Sequence, residues 1–145
     1  MPSISHQTLL LWTVRKMTAD GFLVVACDGS VPRGGLWKGL PSSVEIVNRR
    51  PDAWAIAPST GELAIGEAKT WQDIDTAHTR RQLRVFGKLL DHSRGTACRL
   101  YIAVPRSTAC TLDRVLQDVG LLAARHIVRL HIPDCFLAEE RDACA

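Results

Sequence analysis

Two carboxylates and a lysine lie at one end of a predicted β-hairpin. The apolar runs 51–57 and 62–70 flank four turn-forming residues, which predicts antiparallel strands joined by a tight turn. The register set by that turn places Asp52 opposite Glu67. Because side chains alternate along a strand, Lys69 lies on the same face. The pattern therefore predicts a charged cluster at the hairpin end that is remote from the turn.

This cluster has the chemistry of a divalent-cation site. Two neighbouring carboxylates repel each other, and partial burial adds to that cost unless a cation or hydrogen-bond donors satisfy them. Asp52, Glu67 and the backbone carbonyl of Ala68 are hard oxygen ligands of the kind that Mg²⁺ or Mn²⁺ prefers, with waters completing the shell. Lys69 would then orient or activate a metal-bound water against a phosphodiester. On the residues alone, a salt bridge on an exposed sheet face is the alternative.

The spacing of these residues resembles a known nuclease signature. Residues 50–52 (RPD), followed after fourteen residues by 67–69 (EAK), are similar to the PD-(D/E)xK motif of the restriction-endonuclease-like nucleases. The resemblance covers about residues 5–132. It implies an α/β fold with a mixed central sheet flanked by helices in the order αβββαβαβ. It also implies metal-dependent DNA cleavage, in which Asp52 and Glu67 hold the metal and Lys69 assists the water.

A strongly patterned helix is predicted from Asp75 to about His92. A helical wheel places His78 and Gln82 on the core-facing side of its first half, next to the charged cluster. Residues 82–86 (QLRVF) resemble the QxxxY motif that follows ExK in RecB-type nucleases, with a phenylalanine in place of the tyrosine. The resemblance implies that Gln82 supports the metal site or the nucleic-acid backbone. The alternatives are a hydrogen bond from Gln82 to nearby backbone and a surface position for His78.

The related nucleases often supply a further acid from their first helix, and residues 1–19 contain no Asp or Glu. Glu45, in the segment 44–47, is a candidate replacement, although an exposed glutamate on an edge strand is the alternative interpretation. One-metal chemistry or weaker metal affinity would follow from the missing acid.

The remaining elements alternate between helix and strand. Small residues cover the second face of the hairpin, and they predict close packing by a helix. The predicted elements are a helix at 5–19, a strand at 22–27, a loop at 30–43, a strand at 98–104, a helix at 108–119 and a strand at 126–132. This pattern favours an α/β sandwich with a mixed sheet, followed by a loose acidic tail at 133–145.

Charge is distributed unevenly along the chain. Residues 51–75 carry one basic and five acidic side chains, and residues 76–99 carry six basic and one acidic. An acidic pocket between basic segments fits phosphate binding around a metal site. The candidate nucleic-acid contacts are Arg33, Lys38, Arg49, Arg50, His78, Arg80, Arg81, Arg84 and Lys88. For any one of them, a solvated surface is the alternative.

Length and composition set the remaining limits. The 145 residues, 46% of them hydrophobic, predict one packed domain over 1–132. We find no apolar run of spanning length and no CxxC pair among the five cysteines, which indicates a cytoplasmic protein with mostly buried thiols.

The combined prediction is a Mg²⁺- or Mn²⁺-dependent endonuclease that cleaves DNA with limited sequence readout, and a structure-selective or junction-cutting activity stays open. Loops, a homodimer or a larger nucleic-acid-processing complex would supply target selection. The alternative is a catalytically weak or inactive module of the same fold that binds nucleic acid or supports an assembly. RNA as the substrate stays open.

Overall fold

A computed structural model describes residues 3–28, 50–91 and 94–140. The predicted loop at 30–43 and the predicted site residues Arg33, Lys38, Glu45 and Arg49 lie outside these ranges. The helices are α1 (Ile4–Ala19), α2 (Ala77–Phe86) and α3 (Ala109–Asp118). The strands are β1 (Leu23–Cys27), β2 (Ala53–Ile56), β3 (Leu63–Ala68), β4 (Leu90–Asp91), β5 (Thr96–Ala97), β6 (Arg99–Pro105) and β7 (Ile127–Ile132).

The five longer strands form one mixed sheet in the order β1-β2-β3-β6-β7. The first three strands form an antiparallel meander, whereas β3, β6 and β7 are parallel. The prediction of an α/β fold with a mixed sheet and flanking helices is confirmed. The short antiparallel pair β4 and β5 was not predicted, because its two-residue strands carry no alternation to detect.

The register of the hairpin is the predicted one. Trp54 pairs with Ile65 and Ala53 pairs with Gly66. Helix α1 packs on the small-residue face, as predicted, and the contact is closest at Gly66. A Cβ atom on Gly66 would lie 2.8 Å from Cγ2 of Thr13 and 3.2 Å from Sδ of Met17. Glycine therefore allows α1 to approach β3 at this point.

Helices α2 and α3 cover the opposite face of the sheet. Their buried leucines, Leu83 on α2 and Leu112 on α3, pack with Ile65 of β3 and Ile102 of β6 in a core separate from that of α1. The sheet is thus sandwiched between α1 on one side and α2 with α3 on the other. The end of β3, which carries Glu67, faces the α2 side.

Helix α2 is shorter than the predicted span of 75–92. Thr76 begins it, because its Oγ1 accepts a hydrogen bond of 3.0 Å from the backbone N–H of Thr79. It ends at Gly87, where a Cβ atom would lie 2.3 Å from Cδ1 of Leu121. The apolar periodicity continues past this point through Leu89, so periodicity alone could not locate the end.

The expectation of a loose tail at 133–145 is wrong for its first part. Asp134–Glu140 forms a 3-10 helix that packs against α1. Leu137 is buried in the α1 core, and the ring of Phe136 stacks on Trp12 with centroids 5.8 Å apart. Burial of apolar side chains against α1 explains the order of this segment.

Two of the four described cysteines are exposed, which corrects the expectation of mostly buried thiols. Cys27 and Cys98 are buried, Cys110 and Cys135 are exposed, and all four are free. Burial raises the pKa of the Cys27 thiol to about 12 and that of Cys98 to about 11, so both stay protonated. Within the described ranges, no helix combines the length and the apolar character needed to cross a membrane.

Candidate functional site

At the end of the β2–β3 hairpin, the side chains of Asp52 and Glu67 each accept a hydrogen bond from the backbone of the opposite strand. The backbone N–H of Asp52 donates a 3.1 Å hydrogen bond to Oε1 of Glu67. In return, the backbone N–H of Ala68 donates a 2.8 Å hydrogen bond to Oδ2 of Asp52. Because each carboxylate bonds to the opposite strand, the hairpin fixes the position of both.

Glu67 is a buried carboxylate with an unsatisfied oxygen. Its side chain is 1% exposed, and Oε2 accepts no hydrogen bond within the described residues. Burial, followed by repulsion from Asp52, raises the pKa of Glu67 to about 8, and the nearby Lys69 opposes this rise. A divalent cation is the partner that would favour the ionised form of such a carboxyl group.

Lys69 lies between Glu67 and helix α2. Its Nζ is 3.5 Å from Oε2 of Glu67 and donates a short hydrogen bond to Oε1 of Gln82. The lysine side chain is only 9% exposed. Gln82, which is half-buried on α2, thus holds the ammonium group over the end of β3 rather than bonding to backbone.

His6 is a site residue that the sequence analysis missed. It lies in the first turn of α1, and its Nε2 is 3.3 Å from Oδ2 of Asp52. That contact raises the pKa of His6, and burial opposes the rise. His6 is also the only ionisable side chain in residues 1–14, a signal that could have marked it. The first helix therefore contacts the charged cluster through an imidazole.

The donors gathered here suit a cation that binds oxygen. Within the described part of the chain, no three His, Cys, Asp or Glu side chains are arranged as a ready metal cage. Mg²⁺ needs only one or two protein carboxylates, because it keeps several of its waters. Asp52 and Glu67, with the carbonyl of Ala68, are the residues that would hold it, and the unsatisfied Oε2 of Glu67 fits this role.

The predicted nucleic-acid contacts separate into two groups. Arg50 pairs with Asp28 at 2.5 Å, and Arg80 pairs with Asp75 at 2.9 Å and with Asp118 at 2.8 Å. These two arginines are ion-paired within the protein, and their role as phosphate contacts stays a prediction. The exposed basic side chains on or next to α2 are Arg81, Arg84 and Lys88.

His78 is exposed, so its predicted position on the core-facing side of α2 is wrong. Thr79 takes the buried position beside it, and its Oγ1 donates a 2.6 Å hydrogen bond to the carbonyl of Asp73.

A second polar cluster supports the segment that follows Lys69. Nε1 of Trp71 donates hydrogen bonds to Oδ2 of Asp134 at 2.9 Å and to Oγ of Ser107 at 3.0 Å. The backbone N–H of Ser107 also donates to Asp134, at 2.9 Å. These residues follow β3, β6 and β7, whose parallel carboxyl ends share one edge of the sheet. Asp134 therefore ties the C-terminal segment to the site.

Comparison with protein-family models, with curated proteins and with solved structures finds no match to this chain.

Proposed function

We propose that the protein is a metal-dependent endonuclease that hydrolyses DNA phosphodiester bonds with a site built on Asp52, Glu67 and Lys69. The observation that carries this proposal is the cross-strand arrangement of the two carboxyl groups, in which a buried oxygen of Glu67 accepts no hydrogen bond from the described residues and lies 3.5 Å from the buried ammonium group of Lys69. A pair of carboxylates is suited to bind a divalent cation, and the lysine next to it is suited to bind a phosphate.

The fold supports the same proposal. The order of the main elements, αβββαβαβ, resembles that of restriction-endonuclease-like nucleases, and the charged cluster lies at the hairpin end where their PD-(D/E)xK residues lie. Gln82, the first residue of the QxxxF segment of α2, accepts a hydrogen bond from Nζ of Lys69. The resemblance thus extends from the motif to the helix that follows it.

A bound Mg²⁺ or Mn²⁺ would activate a water and offset the charge that develops on the scissile phosphate. Asp52 and Glu67 would hold that cation through oxygens whose positions the hairpin fixes. Lys69 donates hydrogen bonds toward the phosphate oxygens or the attacking water, and Gln82 keeps its ammonium group in place. Burial of the lysine limits competition from bulk water.

The test is cleavage of supercoiled plasmid and of a branched DNA by the full chain, with Mg²⁺, with Mn²⁺ and with EDTA. We expect cleavage only with a divalent cation. Asp52→Asn and Lys69→Met should each lower the rate by at least about 100-fold, the scale of removing one charge-stabilising group. Glu62→Gln removes a carboxylate near the turn of the same hairpin and should keep the wild-type rate.

Cleavage in EDTA, or full activity of both Asp52→Asn and Lys69→Met, would contradict this mechanism. A complementary measurement is Mn²⁺ binding by calorimetry, which Glu67→Gln should abolish. Because this measurement needs no DNA, it tests the metal site even if the protein does not cleave the DNA substrates chosen.

One observation favours the alternative, an inactive module of the same fold that binds nucleic acid or supports an assembly. Oδ2 of Asp52 already accepts from Ala68 and contacts His6, so the carboxylate is partly satisfied by the protein itself. DNA binding that is independent of metal, together with no Mn²⁺ binding and no cleavage, would establish this alternative over the nuclease.

A further inference from the structure

Helix α2 presents a cluster of cations on the side that faces away from the sheet. Thr79, Leu83 and Phe86 are its buried residues, and Arg81 and Arg84 are exposed. Lys88 follows the helix directly and is also exposed. Arg81 and Arg84 lie about one turn apart on the helix, and Lys88 lies two residues beyond its last residue, Phe86. We call Arg81, Arg84 and Lys88 the α2 basic track.

The track has no internal counter-charge. Within the described residues, none of its three side chains takes part in an ion pair or a side-chain hydrogen bond. Arg80, their neighbour on the same helix, differs in this respect because Asp75 and Asp118 flank it. Like charges at this spacing repel each other, so the arrangement is unfavourable for the helix alone. An external polyanion would reverse this cost.

The track is coupled to the site by the helix itself. Gln82, the residue after Arg81, bonds to the buried Lys69 on the site side of α2. Arg81 and Arg84 therefore lie on the same helix as the residue that holds the ammonium group of the site.

We propose that the α2 basic track binds the sugar-phosphate backbone of the DNA that the site cleaves. This proposal rests on the proposed nuclease function for its substrate. The track contacts phosphates beside the scissile bond, whereas Arg80 and Arg50, which are paired within the protein, do not. The three cations thus set affinity and salt dependence without reading base sequence.

The test measures binding rather than cleavage. A labelled 20-base-pair duplex is titrated with the full chain in EDTA, and fluorescence anisotropy is followed at several salt concentrations. The variant Arg81→Gln/Arg84→Gln/Lys88→Gln is compared with wild type and with Arg15→Gln. Arg15 is exposed on α1, across the sheet, so its substitution removes one positive charge from the opposite side of the protein.

Each phosphate contact contributes about 0.9 to the slope of log affinity against log salt. The triple variant should therefore lower that slope by about 2.7 and weaken binding on the order of 100-fold at about 0.1 M salt. Arg15→Gln should change affinity less than twofold. Circular dichroism of the triple variant should match wild type, because all three side chains are exposed.

The proposal is overturned if the triple variant binds with the wild-type slope, or if Arg15→Gln lowers the slope by about 0.9, the share of one phosphate contact. Two further arms use a duplex RNA and anionic phosphatidylserine vesicles. If wild type binds the RNA or the vesicles but not DNA, and the triple variant loses that binding, the bound ligand replaces DNA as the partner. Track-dependent DNA binding without metal-dependent cleavage would support the track while refuting the nuclease, so the two failures are distinguishable.

Discussion

Replacing Glu67 with glutamine should stabilise the metal-free protein at alkaline pH. The side chain of Glu67 is 1% exposed and lies between Asp52 and Lys69. In the folded state the carboxyl group resists ionisation, because burial and the charge of Asp52 disfavour the carboxylate. Glutamine keeps an oxygen that accepts the Asp52 N–H hydrogen bond and has no proton to lose.

The expected size follows from the pKa of Glu67, which folding raises from 4.5 to about 8. Between these values the unfolded chain loses a proton that the folded protein retains, so stability falls as the pH rises from 4.5 toward 8. Each pH unit in the middle of this window costs about 1.4 kcal/mol, and less near either pKa, so stability falls by roughly 3–4 kcal/mol between pH 5 and pH 8. The raised pKa of His6 acts in the same direction, since its stabilising protonation is also lost as the pH rises.

Urea denaturation in EDTA, followed by tryptophan fluorescence, measures this effect at pH 5 and pH 8. Glu67→Gln should exceed wild type by roughly 3 kcal/mol at pH 8 and lie within about 1 kcal/mol at pH 5. Glu62→Gln is the matched control, because Glu62 is a partly exposed carboxylate on the same hairpin that pairs with Arg99. Its effect should stay below about 1 kcal/mol at both pH values. A loss of stability in Glu67→Gln at pH 8, or an equal gain in Glu62→Gln, would refute the assignment of the penalty to burial.

Three further predictions concern packing and the first helix. Gly66→Ala should lower the free energy of unfolding in urea by about 1–3 kcal/mol, because its Cβ would lie 2.8 Å from Cγ2 of Thr13. Adding Thr13→Ser should recover part of that loss, and no recovery would show that this clash is not the cause. Leu137→Ala should cost about 2–4 kcal/mol, whereas Phe136→Ala, at a residue 55% exposed, should cost about 1 kcal/mol; equal losses would contradict the burial of the C-terminal segment. His6→Ala should weaken Mn²⁺ binding in calorimetry by about 10-fold or more, and an unchanged affinity would show that the imidazole does not support the metal ligands.

The hairpin was predictable from sequence because its geometry is local. A four-residue turn fixes the register of both strands, and side-chain alternation then assigns Asp52 and Glu67 to one face. The small residues of the other face predict a closely packed helix for the same reason. Each of these steps depends on residues less than twenty positions apart.

The parts that sequence could not provide depend on contacts between distant segments. Arg80 is neutralised by Asp118, which lies 38 positions away, and Asp134 bonds to Trp71 over 63 positions. Gly87, which follows α2, lies against Leu121, 34 positions away in the sequence. No periodicity within α2 or within the C-terminal segment encodes these neighbours, so the sequence pattern alone predicts too long a helix and a loose tail.

His6 changes what the missing acid implies. An additional carboxylate from the first helix would bring a further negative charge next to Asp52 and Glu67, where burial already opposes ionisation of Glu67. An imidazole at the same place contacts Asp52 without adding to that repulsion. Because the imidazole contacts Asp52 and a carboxylate there would repel it, His6 favours a charged cluster that stays folded without a metal ion.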